Sequence, residues 1–181
     1  MSASEQQVVA SQQDNDNELE LSLGQKLQGK YMTFKLADEA YGIEILSVRE
    51  IIRMMDMTRV PRTPDFISGV INLRGKVITV IDLRMKFGMK SIDATDQTVI
   101  IVVQIKTESS ELTMGLLVDE VLEVRSVAAE AIEPAPMLGG GGVDIEFIQG
   151  VGKLESRVIF LLNIGKILSS QELEQAAAVA K

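Results

Sequence analysis

Three residue types that carry much of protein chemistry are missing from this sequence. The chain of 181 residues contains no cysteine, no histidine and no tryptophan, and its other aromatics are five phenylalanines and two tyrosines. Without cysteine there is no disulfide, no thiolate nucleophile and no sulfur-ligated metal. Without histidine the chain lacks the commonest general base and the commonest metal ligand. We therefore expect no metal or other cofactor, and a core built mainly from Val, Ile, Leu and Met.

Basic residues and long apolar runs are also scarce. The 26 acidic residues outnumber the 18 basic ones, and the net charge of −8 repels a phosphate backbone. The longest apolar runs, such as 99–103 and 158–162, have five residues each, whereas a membrane-spanning helix needs about 20. The first thirty residues carry no basic, apolar signal segment. We therefore expect a cytoplasmic protein with no nucleic-acid partner and no direct membrane insertion.

The two ends of the chain differ in composition from its middle. Residues 1–29 are rich in Ser, Gln, Asn and acidic residues, which predicts a disordered acidic leader. The alternation of Leu19, Leu21 and Leu23 leaves an edge strand or a docking peptide as alternatives. At the other end, Ser169 precedes Glu172 at the spacing of a capping box, and good helix formers follow. Residues 169–181 are therefore predicted to form a C-terminal helix and tail.

The middle of the chain contains an internal repeat. The stretch "FISGVINLRGKVITVIDLRMKF" at 66–87 aligns with "FIQGVGKLESRVIFLLNIGKIL" at 147–168 at a constant offset of 81. Upstream, aligning Gly42 with Gly115 at an offset of 73 pairs "YGIEILSVREI" with "MGLLVDEVLEV". Repetition over this length indicates a duplicated structural unit. The first copy covers roughly residues 30–95 and the second roughly 96–168.

Each copy is predicted to fold as five short strands. Residue patterns of period two, interrupted by turn residues, are typical of hairpins. A sheet of five such strands exposes two edges unless it closes, so we predict an all-β protein of two five-stranded β-barrel subdomains, either separate or interleaved. A net insertion of nine residues between Pro136 and Phe147 contains four consecutive glycines, 139–142. Such a run is typical of a mobile loop.

No arrangement of residues in the sequence indicates catalysis. The closest acidic groups are Asp93 with Asp96, Asp119 with Glu120, and a pair at positions 144 and 146. A catalytic acid and base need environments that separate their pKa values, and nothing in the sequence predicts burial here. We interpret these groups as solvated loop carboxylates. Nucleophile-elbow, P-loop and dinucleotide motifs are absent from the sequence, so an enzyme is not expected.

The hairpin tip of the first copy stands out when the two copies are compared. The first copy has Asn-Leu-Arg-Gly-Lys at 72–76, where the second has Lys-Leu-Glu-Ser-Arg at 153–157. Gly75 permits positive φ, so Arg74 is predicted to project outward as a fixed basic group. Glu50, in the same copy, is its candidate partner. The alternative is that Arg74 is an ordinary solvated turn residue.

The stretches "YGIEILSVREII", "RVPRTPDFISGVINLRGKVITVIDLRMKF", "MGLLVDEVLEV" and "IEPAPM" together resemble the CheW family of bacterial chemotaxis. The similarity runs from about Tyr31 to Leu168 and suggests a CheW-like domain over residues 30–168. It implies a non-enzymatic adaptor that links methyl-accepting chemotaxis receptors to the histidine kinase CheA within receptor arrays at the inner face of the membrane. The kinase's regulatory domain would pack against the barrel ends, and the receptor's cytoplasmic tip would dock in an apolar groove between the barrels.

The resemblance also implies ten protein-binding positions, for receptor or kinase. They are Val48, Glu50, Gly69, Arg74, Val99, Ile100, Gly115, Val121, Val124 and Gly150. Those expected to make direct contacts are Val48, Glu50, Arg74, Val121 and Val124, because the others include predicted core positions. Two other functions compete with this interpretation: a double barrel that binds a small molecule, and an oligonucleotide-binding barrel, which the charge and the few aromatics oppose.

Overall fold

The computed structural model describes residues 3–107, 110–135 and 147–179. Within them the chain forms three helices and eleven strands. The helices are α1 (Ala3–Leu27), α2 (Leu83–Lys86) and α3 (Ser170–Val179). The strands of the first copy are β1 (Gly29–Leu36), β2 (Glu39–Glu44), β3 (Val48–Arg53), β4 (Ile67–Leu73) and β5 (Lys76–Asp82). Those of the second copy are β6 (Val99–Lys106), β7 (Glu111–Val118), β8 (Glu120–Val127), β9 (Ile132–Glu133), β10 (Ile148–Leu154) and β11 (Arg157–Leu162).

The strands form two sheets, so the predicted all-β class is confirmed in that the fold is mostly β, with a few helices. The six-stranded sheet has the order β8-β1-β2-β11-β10-β9, and the five-stranded sheet has the order β3-β6-β7-β5-β4. The prediction of closed five-stranded barrels was wrong, because neither sheet is closed. In each sheet, the chain that follows the strand at one edge returns to the opposite edge and pairs there. Thr58, after β3, exchanges two backbone hydrogen bonds of 2.9 Å with Val70 of β4, and β9, after β8, pairs with β10.

The two copies are interleaved, since each sheet contains strands from both. The hairpin β1–β2 of the first copy lies in the six-stranded sheet, and the hairpin β6–β7 of the second copy lies in the five-stranded sheet. The pairing is equivalent in both: β2 runs parallel to β11, and β7 runs parallel to β5. The ladder shifts register between Ile67 and Gly69, and again between Ile148 and Gly150. These matching irregularities support the internal duplication.

The apolar side chains form three clusters, one between the sheets and one within each. The largest lies between the sheets and includes Phe34, Ile43, Ile81 and Leu116. A second cluster, around Tyr31 and Leu161, belongs to the six-stranded sheet, and a third, around Ile78 and Ile100, belongs to the five-stranded sheet. Burial of these clusters is the main force that holds the sheets together.

Helix α1 differs from the disordered leader that the sequence predicts. Its last two turns contact the six-stranded sheet, because Leu27 is buried in the second cluster and Leu23 packs against it. The phenol of Tyr31 donates a hydrogen bond of 2.6 Å to the carbonyl of Leu27. A Cβ at Gly24 would lie 2.3 Å from the carbonyl oxygen of Ala129, so glycine permits this close approach. Residues 13–22 of the helix are exposed, which agrees with their polar composition.

The C-terminal helix α3 begins with the capping box that the sequence predicts. The backbone N–H of Ser169 donates to Glu172 at 3.0 Å, and the N–H of Glu172 donates to the Ser169 hydroxyl at 3.2 Å. The Lys86 ammonium binds the Glu172 carboxylate at 2.6 Å, and the Thr79 hydroxyl donates to the carbonyl of Ala176 at 2.9 Å. The helix is thereby fixed over β5 and α2.

Three sequence expectations concern segments beyond this description. The inserted segment with glycines 139–142, the acidic pair at positions 144 and 146, and the last two residues of the predicted tail all lie outside the described residues. Among the described residues, no helix combines the length and apolar character needed to cross a membrane.

Candidate docking surfaces

The β4–β5 hairpin tip holds Arg74 in a defined position. Leu73 pairs with Lys76, so the turn contains only Arg74 and Gly75, with φ of 51° and 85°. Positive φ at both central residues is typical of a type I′ turn. The Asn72 side chain accepts a hydrogen bond of 2.9 Å from the Gly75 N–H and stabilises the turn further. Arg74 is therefore presented by a rigid hairpin.

The Arg74 guanidinium forms the ion pair with Glu50 that the sequence predicts. Glu50 lies on the edge strand β3, and Arg74 lies at the turn next to the opposite edge strand β4. The pair therefore spans the open side of the five-stranded sheet. The Arg74 side chain is 71% exposed and that of Glu50 is 28% exposed, so the pair remains accessible to a partner. We refer to β3 and the β4–β5 turn as the Arg74 end.

The second copy has a corresponding end with different charges. At the equivalent positions stand Glu123 on β8 and Glu155 in the β10–β11 turn. Arg125 binds Glu123 at 2.9 Å and approaches Glu155 at 3.9 Å, so it lies between the two carboxylates. Glu155 has φ of 54°, close to the value at Arg74. We refer to β8 and the β10–β11 turn as the Glu155 end.

Both ends expose branched apolar side chains at equivalent positions. Ile51 on β3 is 40% exposed and its counterpart Val124 on β8 is 45% exposed. Val77 on β5 and its counterpart Val158 on β11 are 46% and 45% exposed. Exposed apolar side chains are common singly, but here they recur at matched positions of the two copies. Apolar groups beside fixed charges are suited to protein contacts.

The ten predicted contact positions fall into three groups. Arg74 and Val124 are exposed, and Glu50, Val48, Val121 and Val99 are partly buried. Buried positions make up the third group: Gly69, Ile100, Gly115 and Gly150. Of the ten, the structure brings Glu50 into contact with Arg74, and places Gly115 against Ile100.

Backbone and packing geometry favour glycine at these three positions to different degrees. At Gly69, φ is 151° and a Cβ would lie 2.5 Å from the carbonyl oxygen of Thr58. At Gly115 a Cβ would lie 2.6 Å from Ile100, and at Gly150 it would lie 2.9 Å from Leu27. At Gly69 the added Cβ would meet backbone, so a substitution there would disturb the fold first, whereas at Gly150 it would meet the end of the flexible Leu27 side chain, which can shift.

Sequence reasoning missed Leu46, which is 86% exposed although it is apolar. It lies in the short turn Ile45–Ser47, where the chain passes from the six-stranded to the five-stranded sheet. A groove of about 380 Å³ lies on one side of it, and another of about 350 Å³ on the other. The first is lined by Gln28, Gly29, Lys30, Tyr31, Glu44, Ile45 and Leu46. The signal in the sequence was that Leu46, an apolar residue at a strand crossover, aligns with Asp119 of the second copy.

Asp119 is not the solvated loop carboxylate that the sequence suggests. Its side chain is 19% exposed and binds Arg84 through both oxygens, at 2.8 Å and 3.0 Å from Nε. Burial alone would raise the pKa of Asp119, but the hydrogen bonds from Arg84 and from the Ala37 N–H outweigh it and lower that pKa. Asp93 and Asp96 are exposed, as expected. Within the described residues no cluster of three or more acidic side chains is arranged to hold a metal ion.

Comparison with known proteins identifies the family. Residues 30–172 match the family described as CheW-like domain. A chemotaxis protein CheW of Klebsiella aerogenes is 39% identical over 158 residues, which cover 87% of this chain and 92% of that protein. A probable chemotaxis protein CheW of Rhizobium etli is 36% identical over 145 residues, 80% of this chain and 90% of that one.

A solved structure agrees with the sequence relatives. The crystal structure of the scaffolding protein TtCheW from Thermoanaerobacter tengcongensis superimposes with a TM-score of 0.69 at 34% sequence identity. The match covers 81% of this chain and 91% of that one. With two interleaved sheets, two charged hairpin ends and a family match over most of its length, this chain belongs to the CheW-like domain family.

Proposed function

We propose that this protein is a non-enzymatic adaptor that couples methyl-accepting chemotaxis receptors to the histidine kinase CheA. Support comes first from its relatives, which are described as chemotaxis and scaffolding proteins. The observation that carries the proposal is the Arg74 end, where a rigid turn presents an exposed charge beside exposed apolar side chains. A surface of this kind provides a central anchor and a rim for a protein partner.

The two ends are proposed to bind the regulatory domain of the kinase. They expose apolar side chains at matched positions but carry different charges at the turns, Arg74 in one and Glu155 in the other. A partner with a similar duplicated fold could therefore meet the two ends with different complementary charges. Val48, Glu50, Arg74, Val121 and Val124 are the proposed contact residues. Gly69, Val99, Ile100, Gly115 and Gly150 are proposed to maintain these surfaces.

The groove beside Leu46 is proposed to receive the cytoplasmic tip of the receptor. Leu46 projects at the junction of the two sheets, and Tyr31 and Ile45 are among the residues that line the groove next to it. An apolar side chain 86% exposed on a folded domain gains free energy when a partner covers it. The groove is separate from the Arg74 turn, so receptor and kinase could bind together.

The proposed mechanism is geometric. An adaptor that holds two partners raises their local concentration and fixes their relative orientation. Control of the kinase then requires contacts that differ between receptor states, because a contact of equal strength in both states shifts no equilibrium. The protein would act in the cytoplasm, recruited by receptors to arrays at the inner face of the membrane.

Reconstitution tests this function directly. Purified CheA and membranes that contain a chemoreceptor are combined with and without this protein, and kinase autophosphorylation and co-sedimentation are measured. We expect the kinase to sediment with the receptor, and its activity to respond to receptor ligand, only when the protein is present. If the kinase behaves identically with and without it, the proposal fails.

A further inference from the structure

Asp119 ties together three segments that belong to both sheets. It lies between β7 of the five-stranded sheet and β8 of the six-stranded sheet. Its carboxylate accepts from Arg84 on α2, at 2.8 Å from both Nε and Nη2, and from the Ala37 N–H of the β1–β2 turn, at 2.7 Å. Its own N–H donates to the carbonyl of Lys35 at 3.1 Å. Since α2 directly follows β5, this arrangement connects the five-stranded sheet to a hairpin of the six-stranded one.

The internal repeat provides a comparison, because the chain crosses between the sheets at a second, equivalent place. At the offset of 73, Asp119 corresponds to Leu46, and at the offset of 81, Arg84 corresponds to Gly165. Leu46 is uncharged and Gly165 has no side chain, so these two residues form no ion pair. Both line the open groove of about 350 Å³. The two crossovers have therefore diverged: one is tied by a bidentate ion pair and the other is open.

Among the described residues, the rest of the contact between the sheets is mainly apolar packing. The cluster between them is aliphatic and aromatic, and apolar burial depends on area much more than on angle. A bidentate arginine–carboxylate pair fixes both distance and orientation. The Arg84 and Asp119 side chains are 15% and 19% exposed, so solvent competes little for them. At that crossover the pair adds a bidentate contact of fixed direction to the hydrogen bonds that Asp119 makes with Ala37 and Lys35.

We propose that Arg84 and Asp119 form a positioning pair that sets the relative orientation of the two sheets, and hence of the Arg74 end, the Glu155 end and the Leu46 groove. The relative orientation of the two sheets can be measured on the isolated protein, whatever its function. The consequence for signalling rests on the proposed adaptor function, because an adaptor transmits only if its surfaces are held at a fixed angle. Neither residue need touch a partner.

A second ion pair on the same helix is a matched control. Lys86 and Glu172 lie 2.6 Å apart with side-chain exposures of 17% and 21%, close to those of Arg84 and Asp119. This pair joins α2 to α3 and does not connect the sheets. Lys86→Gln therefore removes a comparable ion pair without releasing the crossover. Arg84→Lys complements Arg84→Gln, because it keeps the charge but loses the bidentate geometry.

The first experiment measures the sheets directly and does not depend on function. The sequence has no cysteine, so Ser126→Cys on β8 and Lys76→Cys on β5, both exposed positions, introduce the only two sites for spin labels. Pulsed electron–electron double resonance then gives the distribution of distances between the two labels, one on each sheet. We expect a broader distribution in Arg84→Gln and Arg84→Lys, and an unchanged one in Lys86→Gln. An unchanged distribution in the Arg84 variants, or equal broadening in all three, overturns the proposal.

The second experiment measures the consequence for signalling. Arg84→Gln should bind the kinase regulatory domain alone, and a receptor fragment alone, with the affinities of the wild type. In the complete assembly its activation of the kinase should fall by about tenfold or more, since simultaneous engagement needs correct geometry. The reversed pair Arg84→Asp with Asp119→Arg should restore part of this loss. Retained activation in Arg84→Gln overturns the signalling consequence, whereas a wild type that never couples the two partners overturns the proposed function and leaves the distance result standing.

Discussion

Glu50 and Arg74 are 24 residues apart in sequence, and their side chains meet across the open side of the five-stranded sheet. The pair joins the edge strand β3 to the turn beside the opposite edge strand β4. A second tie between the same edges is the backbone pairing of Thr58 with Val70. Because the Arg74 side chain is 71% exposed, the ion pair contributes little to the stability of the sheet and is available for recognition.

The first prediction concerns Arg74→Glu. This change places two carboxylates together at the Arg74 end and reverses the exposed charge. We expect assembly with kinase or receptor to be lost in co-sedimentation, while the free energy of unfolding changes by no more than about 1 kcal/mol, as for other exposed ion pairs. Lys76→Glu, an equal charge change at an exposed neighbour, is the control and should retain most assembly. A folded Arg74→Glu protein that still couples normally would mean that the tip is only a solvated turn.

The second prediction concerns the groove at the open crossover. Leu46→Asp replaces an exposed apolar side chain, so the free energy of unfolding should remain within about 0.5 kcal/mol of the wild-type value. Binding of the receptor fragment, measured by calorimetry, should weaken strongly because a desolvated carboxylate would face an apolar contact. Leu19→Asp is the matched control, since Leu19 is 68% exposed on α1, away from the crossover. Equal affinities of the two variants for the receptor would exclude Leu46 from the docking site.

Much of the fold follows from local patterns in the sequence. The period-two patterns predict the hairpins correctly, and the spacing of Ser169 and Glu172 predicts the capped helix α3. The open form of the sheets could not be predicted, because it depends on how β9 and Thr58 return to the far edges. The interleaving of the copies was similarly undetermined, since exchange of equivalent hairpins leaves every local pattern unchanged.

The sequence predicts the contact between Arg74 and Glu50, but not the environment of Asp119. Arg74 and Glu50 were correctly paired, because the glycine turn marks Arg74 as an outward-pointing charge and Glu50 is an acidic residue in the same copy. Asp119 was misjudged because its partner, Arg84, lies 35 residues away. Helix α1 owes its last turns to tertiary contacts of Leu23 and Leu27, which composition does not reveal. Whether the ten positions bind partners stays a prediction.

The third prediction separates folding from binding at Gly69. Gly69→Ala introduces a Cβ 2.5 Å from the Thr58 carbonyl oxygen at φ of 151°, so we expect a loss of about 3 kcal/mol or more in the free energy of unfolding. Gly75→Ala is the control, because φ there is 85° but no atom lies within 4 Å of the added Cβ. It should cost about 1–2 kcal/mol from backbone strain alone. Urea denaturation measures both. Equal losses in the two variants would show that the close approach of the Thr58 carbonyl oxygen is not the reason for glycine at position 69.

The fourth prediction uses the pKa of Asp119, which the hydrogen bonds from Arg84 and Ala37 lower in the folded state against the opposing effect of burial. The stabilisation is present above the unfolded pKa of about 3.9 and is lost as pH falls through the lower, folded value. Asp119→Asn should therefore cost about 2 kcal/mol at pH near 7. The difference from wild type should shrink in urea titrations below about pH 4. Asp93→Asn controls for net charge, and a difference that does not vary with pH would contradict the pairing.

The fifth prediction concerns the two tyrosines, whose ionisation reports on the buried clusters. Burial, with a smaller effect from Glu44, raises the pKa of Tyr31 to about 12, and burial, with a smaller effect from Glu39, raises the pKa of Tyr41. Since the chain has no tryptophan, tyrosinate absorbance can be followed without interference. In Tyr41→Phe, Tyr31 alone should titrate, with a midpoint near 12 while circular dichroism shows the native fold. The same variant in urea is the control and should titrate near 10.

The raised value also fixes how stability depends on alkaline pH. Below about pH 10 both the folded and unfolded phenols are neutral, so burial of Tyr31 imposes no pH-dependent cost. Between about pH 10 and the folded value, the unfolded chain releases its proton first, and the free energy of unfolding falls as pH rises. Tyr31→Phe should flatten this alkaline decline, while losing at all pH values the hydrogen bond to the Leu27 carbonyl that anchors α1. A native Tyr31 that titrates near 10 would show that the last turns of α1 do not cover the phenol in solution.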